Sequence, residues 1–293
     1  MAFFKYDIDL VYLWVDGNDS NWKKKQLALI EDSNNKDKPN IAGRYESNDE
    51  LKYSLRSVEK HLPWIRTIFI ITDEQKPNWL KEHHPKIKII DHKDILPHDI
   101  LPTFNSTVIE LFLYKIADLS DRFLYANDDM FVYKDLEPSF FYNKKTGFPI
   151  VRLQYQFMLN TELKFKLKYK KNLNNYRKGI YNSIQLVKKK FGKTYPGVLH
   201  HNIDAYLRED LRHIVEEEFK DDLKPVMQNR FRNPNDIQRI LFHFYSLTRK
   251  RAHLRFTNRN ESCRIRVHRP DFMKSIERFN PKLFCLNDTE YAT

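Results

Sequence analysis

The sequence predicts an α/β fold in which a mostly parallel β-sheet is flanked by helices. Short apolar, β-branched segments recur four times before residue 127, and segments whose apolar residues have helical spacing lie between them. Strands that alternate with helices in this way form parallel sheets covered on both faces. A chain of 293 residues is long enough to bury such a core.

Predicted strands and helices alternate along the first half of the chain. The first strand, at 8–15, ends at the turn signal Asp-Gly-Asn-Asp. A helix at 51–61 follows, because residues 47–50 have the spacing of a capping box. The next segments are strands at 67–72 and 86–91 with a short helix at 77–82 between them, a helix at 105–117 capped by Asn105 or Ser106, and a strand at 122–126.

The second half has a different pattern. Residues 142–195 are rich in lysine and tyrosine and are predicted to form a basic insertion or cap. Within them, the period-2 alternation at 164–171 predicts a strand or ribbon, either a solvated edge strand or an acceptor-docking surface. Residues 196–293 would complete the domain that begins with the α/β core at 1–141. They are predicted to contain helices at 200–219 and 234–250 and short strands at 264–268 and 283–286.

The charge and cysteine content narrow the choice of partner and compartment. Lysine and arginine total 51 against 39 acidic residues, a net charge of +12. Nucleic acid, an acidic membrane surface and a phosphorylated or nucleotide-linked substrate would each be attracted by that charge. The two cysteines provide neither a disulfide framework nor zinc-site spacing. No segment resembles a signal peptide or membrane span, so we expect a cytoplasmic protein that its charge would allow to rest on the inner face of the membrane.

Acidic residues follow three of the predicted strands. They are Asp16 and Asp19 after the first, Asp128 and Asp129 after the fourth, and Asp288 after the last. Ligands of open parallel sheets bind at the carboxyl ends of the strands, and carboxylates gathered there repel one another unless a cation lies among them. The pattern therefore predicts Mg²⁺ or Mn²⁺ bound with a diphosphate. The alternative is that the Asn-Asp-Asp triplet is only a turn.

Other candidates are weaker when taken singly. Glu110 lies inside a predicted helix and by itself resembles a surface glutamate. The pair His200 and His201 could contact a phosphate or accept a proton near neutral pH, although most lone histidines are structural. Three arginines near the predicted start of the 234–250 helix suit phosphate binding, or else form a solvated face, namely Arg230, Arg232 and Arg239.

Four blocks of the chain together resemble the Stealth proteins. This family includes bacterial capsule hexose-1-phosphate transferases and the animal lysosomal-enzyme N-acetylglucosamine-1-phosphotransferase. The first block is IDLVYLWVDGND at 8–19, and the second, at 44–131, includes NDELKYSLRSVEKHLPWIRTIFIIT, LPTFNS and FLYANDDMF. The third, at 201–251, includes FRNPNDIQ, and the fourth is CLND at 285–288. Their common order across nearly the whole chain makes chance a poor explanation.

The resemblance implies roles for particular residues. The family often has proline two positions after its histidine, whereas this chain has Ile203, so His200 and His201 both remain candidates and the spacing to Arg232 favours His201. The implied catalytic residues are Glu110, Asp128, His201 and Arg232, the implied metal ligands are Asp129 and Asp288, and the implied nucleotide pocket is formed by Asp9, Trp14, Asp16, Gly17 and Arg232.

The resemblance also implies a fold and a reaction. The fold would be Rossmann-like or GT-A-like, with the nucleotide sugar bound by residues 1–141. The reaction would be transfer of a hexose-1-phosphate or N-acetylhexosamine-1-phosphate from a UDP-sugar to a glycan or lipid-linked oligosaccharide, with release of UMP. Two alternatives stay open: a metal-dependent glycosyltransferase that releases UDP, and a basic module that binds an anionic polymer. No nucleic-acid motif is present, so nucleic acid is not expected as a partner.

Overall fold

The computed structural model describes residues 4–32, 45, 48–81, 83–169 and 173–287. Its strands are β1 (Ile8–Leu13), β2 (Ile68–Thr72), β3 (Ile87–Asp91), β4 (Arg122–Asn127), β5 (Met130–Val132), β6 (Ile150–Tyr155), β7 (Gly197–Leu199), β8 (Asp204–Leu207), β9 (His253–Phe256), β10 (Ser262–Arg266) and β11 (Leu283–Asn287). Its helices are α1 (Ser20–Asp32), α2 (Glu50–His61), α3 (His92–Ile95), α4 (Ser106–Leu111), α5 (Pro138–Phe141), α6 (Leu159–Lys168), α7 (Asn175–Phe191), α8 (Arg208–His213), α9 (Lys220–Met227), α10 (Ile240–Thr248) and α11 (Phe272–Phe279).

The centre of the molecule is a five-stranded sheet with the order β3-β2-β1-β4-β8. The first four strands are parallel, and β8 pairs with β4 in the antiparallel direction. Buried side chains from both faces of β1 enter two separate hydrophobic clusters. This arrangement confirms the predicted α/β class with a mostly parallel sheet flanked by helices.

Two three-stranded sheets pack beside the central sheet, with the orders β10-β11-β5 and β7-β6-β9. In the first, β11 runs antiparallel to β5, with Cys285 opposite Met130. This pairing brings β11 to the turn after β4. In the second, β6 from the 142–195 segment pairs with β7 and β9, which come from later in the chain.

The helices of the first half agree in part with the helices predicted from the sequence. Asn105 caps α4, because its side chain accepts a hydrogen bond from the Thr107 N–H at 3.1 Å, and the helix continues only as a 3₁₀ turn at Leu113–Lys115. The capping box proposed for α2 is not formed as spaced: Asp49 precedes the helix in the left-handed conformation without a side-chain cap, and position 47 lies outside the described residues.

The short helix predicted at 77–82 is wrong for the described part of that segment. Residues 78–80 form a turn in which Leu80 N–H donates to Pro77 O at 2.9 Å. Pro85 follows closely, and a proline disfavours helical backbone at the residue before it. The described part of the segment between β2 and β3 thus contains turns at 78–79 and 85–86 and no helix.

The basic strand predicted at 164–171 is also wrong, because α6 reaches Lys168. Leu159 and Leu163 are four residues apart and both are buried, so they lie on one face of a helix against the core. The lysine alternation that suggested a strand comes from residues outside that buried stripe. Positions 170–171 lie outside the described residues.

The helix predicted at 200–219 begins instead with the strand β8. All four residues of β8 are buried beside β4, and a short apolar run does not by itself distinguish a strand from a buried helix. The next predicted helix begins at Ile240 and not at 234. The strands predicted near 264–268 and 283–286 are confirmed as β10 and β11. Among the described residues, no helix is both long enough and apolar enough to cross a bilayer.

Candidate active site

The candidate site lies at the carboxyl end of the central sheet. Leu13 of β1 is in register with Asn127 of β4, so the residues that follow these two strands leave the sheet side by side. Trp14 is buried and its N–H donates to Ile71 O at 3.0 Å. The sequence-predicted residues Trp14, Asp16, Asp128 and Asp129 are therefore brought to one edge of the sheet.

Hydrogen bonds to its main chain fix the loop after β1. The side-chain amide of Gln75 accepts a hydrogen bond from Asp16 N–H and donates one to Asp16 O, both at 2.9 Å. Asp16 Oδ1 accepts the N–H of Asn18 at 2.8 Å. The adjacent Gly17 donates its N–H to Tyr45 O at 2.7 Å, and a Cβ at Gly17 would lie 2.3 Å from that oxygen. Only glycine permits this approach.

An aromatic cluster of Trp22, Tyr45, Phe104 and Phe231 joins three distant parts of the chain. Phe104 stacks on Phe231 with ring centroids 5.4 Å apart, and Trp22 packs edge-on against Phe104 at 5.1 Å. The Tyr45 hydroxyl donates to Phe104 O at 3.1 Å. The loop after β1, the start of α4 and the 230–236 loop are thereby fixed against one another.

Polar contacts extend the same junction to Arg232. The Asn105 side-chain amide donates to Phe231 O at 3.2 Å and to Asp236 Oδ2 at 3.0 Å. Arg232 Nη2 donates to the hydroxyl of Ser106, the first residue of α4, at 2.9 Å. The FRNPND loop therefore places one guanidinium group directly at the helix that carries Glu110.

Glu110 lies four residues after Ser106 and hence on the same face of α4. Its Oε1 accepts a hydrogen bond from the Tyr125 hydroxyl at 3.0 Å. Burial raises the pKa of Glu110, although Arg239, the Tyr125 hydrogen bond and Arg232 act in the opposite direction. Glu110 is thus a desolvated carboxyl beside cations, not the surface glutamate that it would resemble in isolation.

The two acids after β4 have different surroundings. Burial raises the pKa of Asp128 to about 8, with further contributions from the charges of Asp129 and Glu50. Asp129 Oδ2 accepts a hydrogen bond from the Cys285 thiol at 3.1 Å, and burial raises the pKa of Asp129 as well. The second oxygen, Oδ1, is buried and has no hydrogen-bond partner among the residues that the structure describes.

His201 lies beside this aspartate. Ligand atoms of Asp129, His201 and Cys285 all fall within 4.8 Å of one another. His201 has a φ of +33°, an unusual conformation for a residue with a side chain. Burial, together with Arg239 and Arg264, lowers its pKa to about 3, so its imidazole is neutral at physiological pH.

His200 points elsewhere. Its Nε2 lies 2.9 Å from Asp204 Oδ1 in the interior, and Arg239 Nη1 lies 3.4 Å from the other oxygen of the same carboxylate. Although burial opposes ionisation, His200, His243 and Arg239 hold the pKa of Asp204 well below its usual range. Of the two adjacent histidines, His201 is the one brought to Asp129.

The three candidate arginines separate in the same way. The Arg230 guanidinium donates to Asp99 O at 2.7 Å and Pro102 O at 3.1 Å, so it braces the main chain. Arg239 is buried, with its guanidinium carbon 4.9 Å from the centroid of the Tyr125 ring. Of the three, Arg232 hydrogen-bonds to α4 at Ser106, whereas Arg239 has the larger electrostatic effect on Glu110.

Asp9 is not brought to the site. Its side chain is fully buried, and its oxygens accept hydrogen bonds from Arg66 Nε at 2.9 Å, Arg66 Nη2 at 2.6 Å, Thr67 N–H at 3.1 Å and Ser120 N–H at 2.7 Å. It lies at the amino end of β1, and five residues of strand place it roughly 16 Å from Trp14. Its contacts are those of a structural carboxylate.

Asp288 lies outside the described residues. The strand that leads to it, β11, approaches the site directly, since Leu286 N–H donates to Asp129 O at 2.9 Å. Asp129, with its buried unpartnered oxygen, fits a divalent cation, because Mg²⁺ and Mn²⁺ prefer oxygen ligands. The thiol of Cys285 suits them less and instead serves as a hydrogen-bond donor to Asp129.

Several residues of the site were missed from the sequence. Cys285 has no role predicted from the sequence, where its position in CLND is its one signal. Tyr125 and Glu50 lie inside the family blocks, yet nothing in those blocks indicates that Tyr125 hydrogen-bonds to Glu110 or that the charge of Glu50 acts on Asp128. Arg239 is only one of several arginines in the sequence, although its place directly before the apolar residues of α10 is a signal of a buried cation.

Comparisons with known proteins identify two conserved regions in the chain. Stealth protein conserved region 1 matches residues 6–25, and conserved region 2 matches residues 44–149. A capsular polysaccharide phosphotransferase, fcs1, of Haemophilus influenzae is 37% identical over 80% of this chain and 63% of its own length. An exopolysaccharide phosphotransferase, SCO6023, of Streptomyces coelicolor is 33% identical over 97% of this chain and 48% of its own.

The structural similarity of this chain to solved structures is weaker. A structure of an active-site mutant of LgtC has a TM-score of 0.45 at 14% identity, covering 95% of this chain and 86% of the other. The bifunctional glycosyltransferase WbbM has a TM-score of 0.46 at 13% identity, covering 97% of this chain and 46% of the other. No conclusion rests on scores this low. The chain spans about half to two thirds of the curated relatives named above, and its two matched regions show that it belongs to the Stealth protein family.

Proposed function

We propose that the protein transfers a sugar-1-phosphate from a UDP-sugar to a glycan hydroxyl, forming a phosphodiester and releasing UMP, in the synthesis of a cell-surface polysaccharide. One observation carries the proposal. At the carboxyl edge of the sheet, Asp129 presents a buried oxygen without a described partner, with neutral His201 beside it. This combination suits a cation bound to a diphosphate near a proton acceptor.

The relatives support the same chemistry. The matched proteins of Haemophilus influenzae and Streptomyces coelicolor are named as capsular and exopolysaccharide phosphotransferases. This chain covers 63% and 48% of their lengths, and their named activity supports the proposal. The donor, the acceptor class and the release of UMP come from the family resemblance and from the chemistry of the site.

In this proposal, Mg²⁺ or Mn²⁺ would be held by Asp129 and Asp288 and would neutralise charge on the donor diphosphate. The loop formed by Trp14, Asp16 and Gly17 would bind the nucleotide. The close packing of Gly17 on Tyr45 keeps that loop in place. Asp128, which is protonated near neutral pH, would release its proton when positive charge arrives.

Three further residues would act on the phosphoryl group and the acceptor. Arg232, positioned by Ser106, would stabilise negative charge on the transferred phosphate. His201 is neutral and can accept the hydroxyl proton, and the bound diphosphate would raise its pKa toward a value suited to that role. Glu110 is either an alternative base or a group that orients Arg232, and Arg232 in turn lowers its pKa.

Phosphoryl transfer fits this set of site residues because the reaction needs positioning and electrostatic stabilisation more than covalent catalysis. The acceptor hydroxyl would attack the β-phosphorus in line with the leaving UMP. The bond between the sugar carbon and the phosphate oxygen would stay intact. A metal-dependent glycosyltransferase would use a similar acidic site but would break that bond and release UDP.

The released nucleotide therefore tests the proposal. Purified protein is incubated with a panel of UDP-hexoses, Mg²⁺ or Mn²⁺ and glycan or lipid-linked oligosaccharide acceptors, and products are identified by mass spectrometry and ³¹P NMR. UMP with a phosphodiester is expected, and Arg230→Lys serves as an arginine control outside the site. UDP with a glycoside would establish the glycosyltransferase alternative. Salt-sensitive binding to a polyanion without turnover would favour the binding-module alternative.

A further inference from the structure

An exposed apolar surface lies outside the proposed catalytic site. It is formed by the end of β6, the turn that follows, the outer face of α6 and the end of β9. Phe157 and Met158 at the turn are 76% and 58% exposed. Clusters of exposed apolar side chains of this size are unusual on a protein surface. We call it the aromatic-basic surface, and its apolar members are Tyr155, Phe157, Met158, Phe165, Tyr169 and Phe256.

These residues come from segments that are paired in a sheet or adjacent along the chain. The rings of Tyr155 and Phe256 meet edge to face at 5.2 Å across two paired strands. Met158 O accepts the N–H of Glu162 at 2.8 Å, which fixes the turn to the first turn of α6. Phe165 and Tyr169 lie with ring centroids 4.4 Å apart at the other end of that helix.

The outer face of α6 alternates aromatic and basic residues. Lys164, Phe165, Lys168 and Tyr169 are all exposed, and their spacing of three and four residues places them on one side of the helix. The opposite side is buried through Leu159 and Leu163. Phe165 and Tyr169 are 51% and 56% exposed, so the outward side of the helix also carries apolar groups.

The charge on this surface is positive. Between residues 155 and 169 the single acidic residue is Glu162, and its carboxylate is paired with Lys166 and Arg177. Lys164 and Lys168 appear in no ion pair between described residues. The exposed aromatic groups are accompanied by aliphatic Met158 and Leu254, which do not stack on sugar rings but do insert among lipid chains.

We propose that the aromatic-basic surface docks on an anionic lipid bilayer. Phe157 and Met158 would enter the boundary between head groups and acyl chains, while Lys164 and Lys168 would contact lipid phosphates. The surface is close to the site along the chain: Tyr155 pairs with Gly197 at the start of β7, and the chain reaches His201 just after that strand. Docking would orient the candidate site toward acceptors that are carried on lipid, a consequence that rests on the proposed function.

The test is flotation with vesicles of phosphatidylcholine alone or mixed with phosphatidylglycerol, without donor or acceptor. The protein should float with the anionic vesicles only, and less so as NaCl is raised. Phe157→Ser with Met158→Ser, or Lys164→Glu with Lys168→Glu, should each weaken binding on the order of tenfold or more. The control pair Lys220→Glu with Lys224→Glu has the same spacing on α9, and Met273→Ser on α11 removes another exposed apolar group. The controls should bind as the unchanged protein does.

Two results would overturn the proposal. One is equal loss of flotation in the control variants, because binding would then reflect net charge alone. The other is retention on an immobilised poly(glycerol phosphate) with no flotation on anionic vesicles, which would make the surface a polyanionic glycan site. Neither measurement requires turnover, so a failure here is distinct from a failure to release UMP.

Discussion

Replacing Asp9 with alanine should lower the free energy of unfolding without weakening donor binding by the folded protein. The change leaves the Thr67 and Ser120 N–H groups without their acceptor, at about 1–3 kcal/mol for each such group when buried. Arg66 is 40% exposed on its side chain and can be rehydrated, so its lost ion pair adds little. We expect a loss of about 2–4 kcal/mol, because both N–H groups are only partly buried.

This loss should be visible as a lower melting temperature. An unfolding entropy of about 2.1 cal/mol/K per residue over 293 residues gives about 0.6 kcal/mol/K, so a 3 kcal/mol loss corresponds to about 5 °C. Scanning calorimetry measures the shift. Titration calorimetry with a UDP-hexose measures donor affinity at a temperature where both proteins are folded. Asp7→Ala is the matched control, because Asp7 lies 3.9 Å from Arg66 with its side chain 71% exposed.

A different result would refute the structural reading of Asp9. If Asp9→Ala melted at the same temperature as the unchanged protein but bound donor at least tenfold more weakly, Asp9 would belong to the nucleotide pocket that the family resemblance implies. The hydrogen bonds that hold it to Arg66 and Ser120 would then be incidental to stability.

Three further changes test the site. Asp129→Ala should reduce transfer by about 10³-fold or more while leaving the melting temperature near its original value; normal turnover by a folded variant would contradict the metal assignment. The pKa of Asp128 is raised from 3.8 to about 8 in the folded protein. Between these pH values the folded protein keeps the Asp128 proton, whereas the unfolded chain has released it. The contribution of Asp128 to the free energy of unfolding therefore falls as pH rises. Mn²⁺ affinity measured by calorimetry should accordingly increase from pH 6 to 8, by at most about tenfold per unit, and Asp128→Asn should flatten the profile. Gly17→Ala should cost about 1–3 kcal/mol in denaturant unfolding, since its Cβ would meet Tyr45 at 2.3 Å, whereas Gly192→Ala meets no atom within 4 Å and should cost only about 1 kcal/mol for its positive φ.

The sequence predicted the central sheet well because each parallel strand is a buried apolar run bounded by turn signals. β1, β2 and β4 have that form, and the cap of α4 at Asn105 was readable from local chemistry. It failed at α6, where lysines alternate with apolar residues and mimic the period of a strand. The burial of Leu159 and Leu163, which determines the structure of that segment, depends on neighbours distant in the chain.

The candidate site was predictable in part for the same reason. Asp128 and Asp129 follow a recognisable strand, so their position at the sheet edge could be anticipated. The spacing to Arg232 already favours His201 over His200 in the sequence. The pairing of Cys285 with Asp129, and the contact of His200 with Asp204, depend on β11 and β8 joining sheets in ways that no local pattern indicates. Asp9 lies in β1, a strand that the sequence predicts clearly, but its hydrogen-bond partners come from two other segments of the chain.

The contact between Cys285 and Asp129 also bears on how the protein is made. The two residues are 156 positions apart, and at ribosomal rates of about 5–20 residues per second the interval between their synthesis is roughly 8–31 s. During that time Asp129 Oδ2, which later accepts the hydrogen bond from the thiol, lacks that donor. This edge of the sheet is therefore completed only once β11 has been synthesised, after the strands beneath it, and a chain that ends before β11 would contain the strands of the central sheet without this contact.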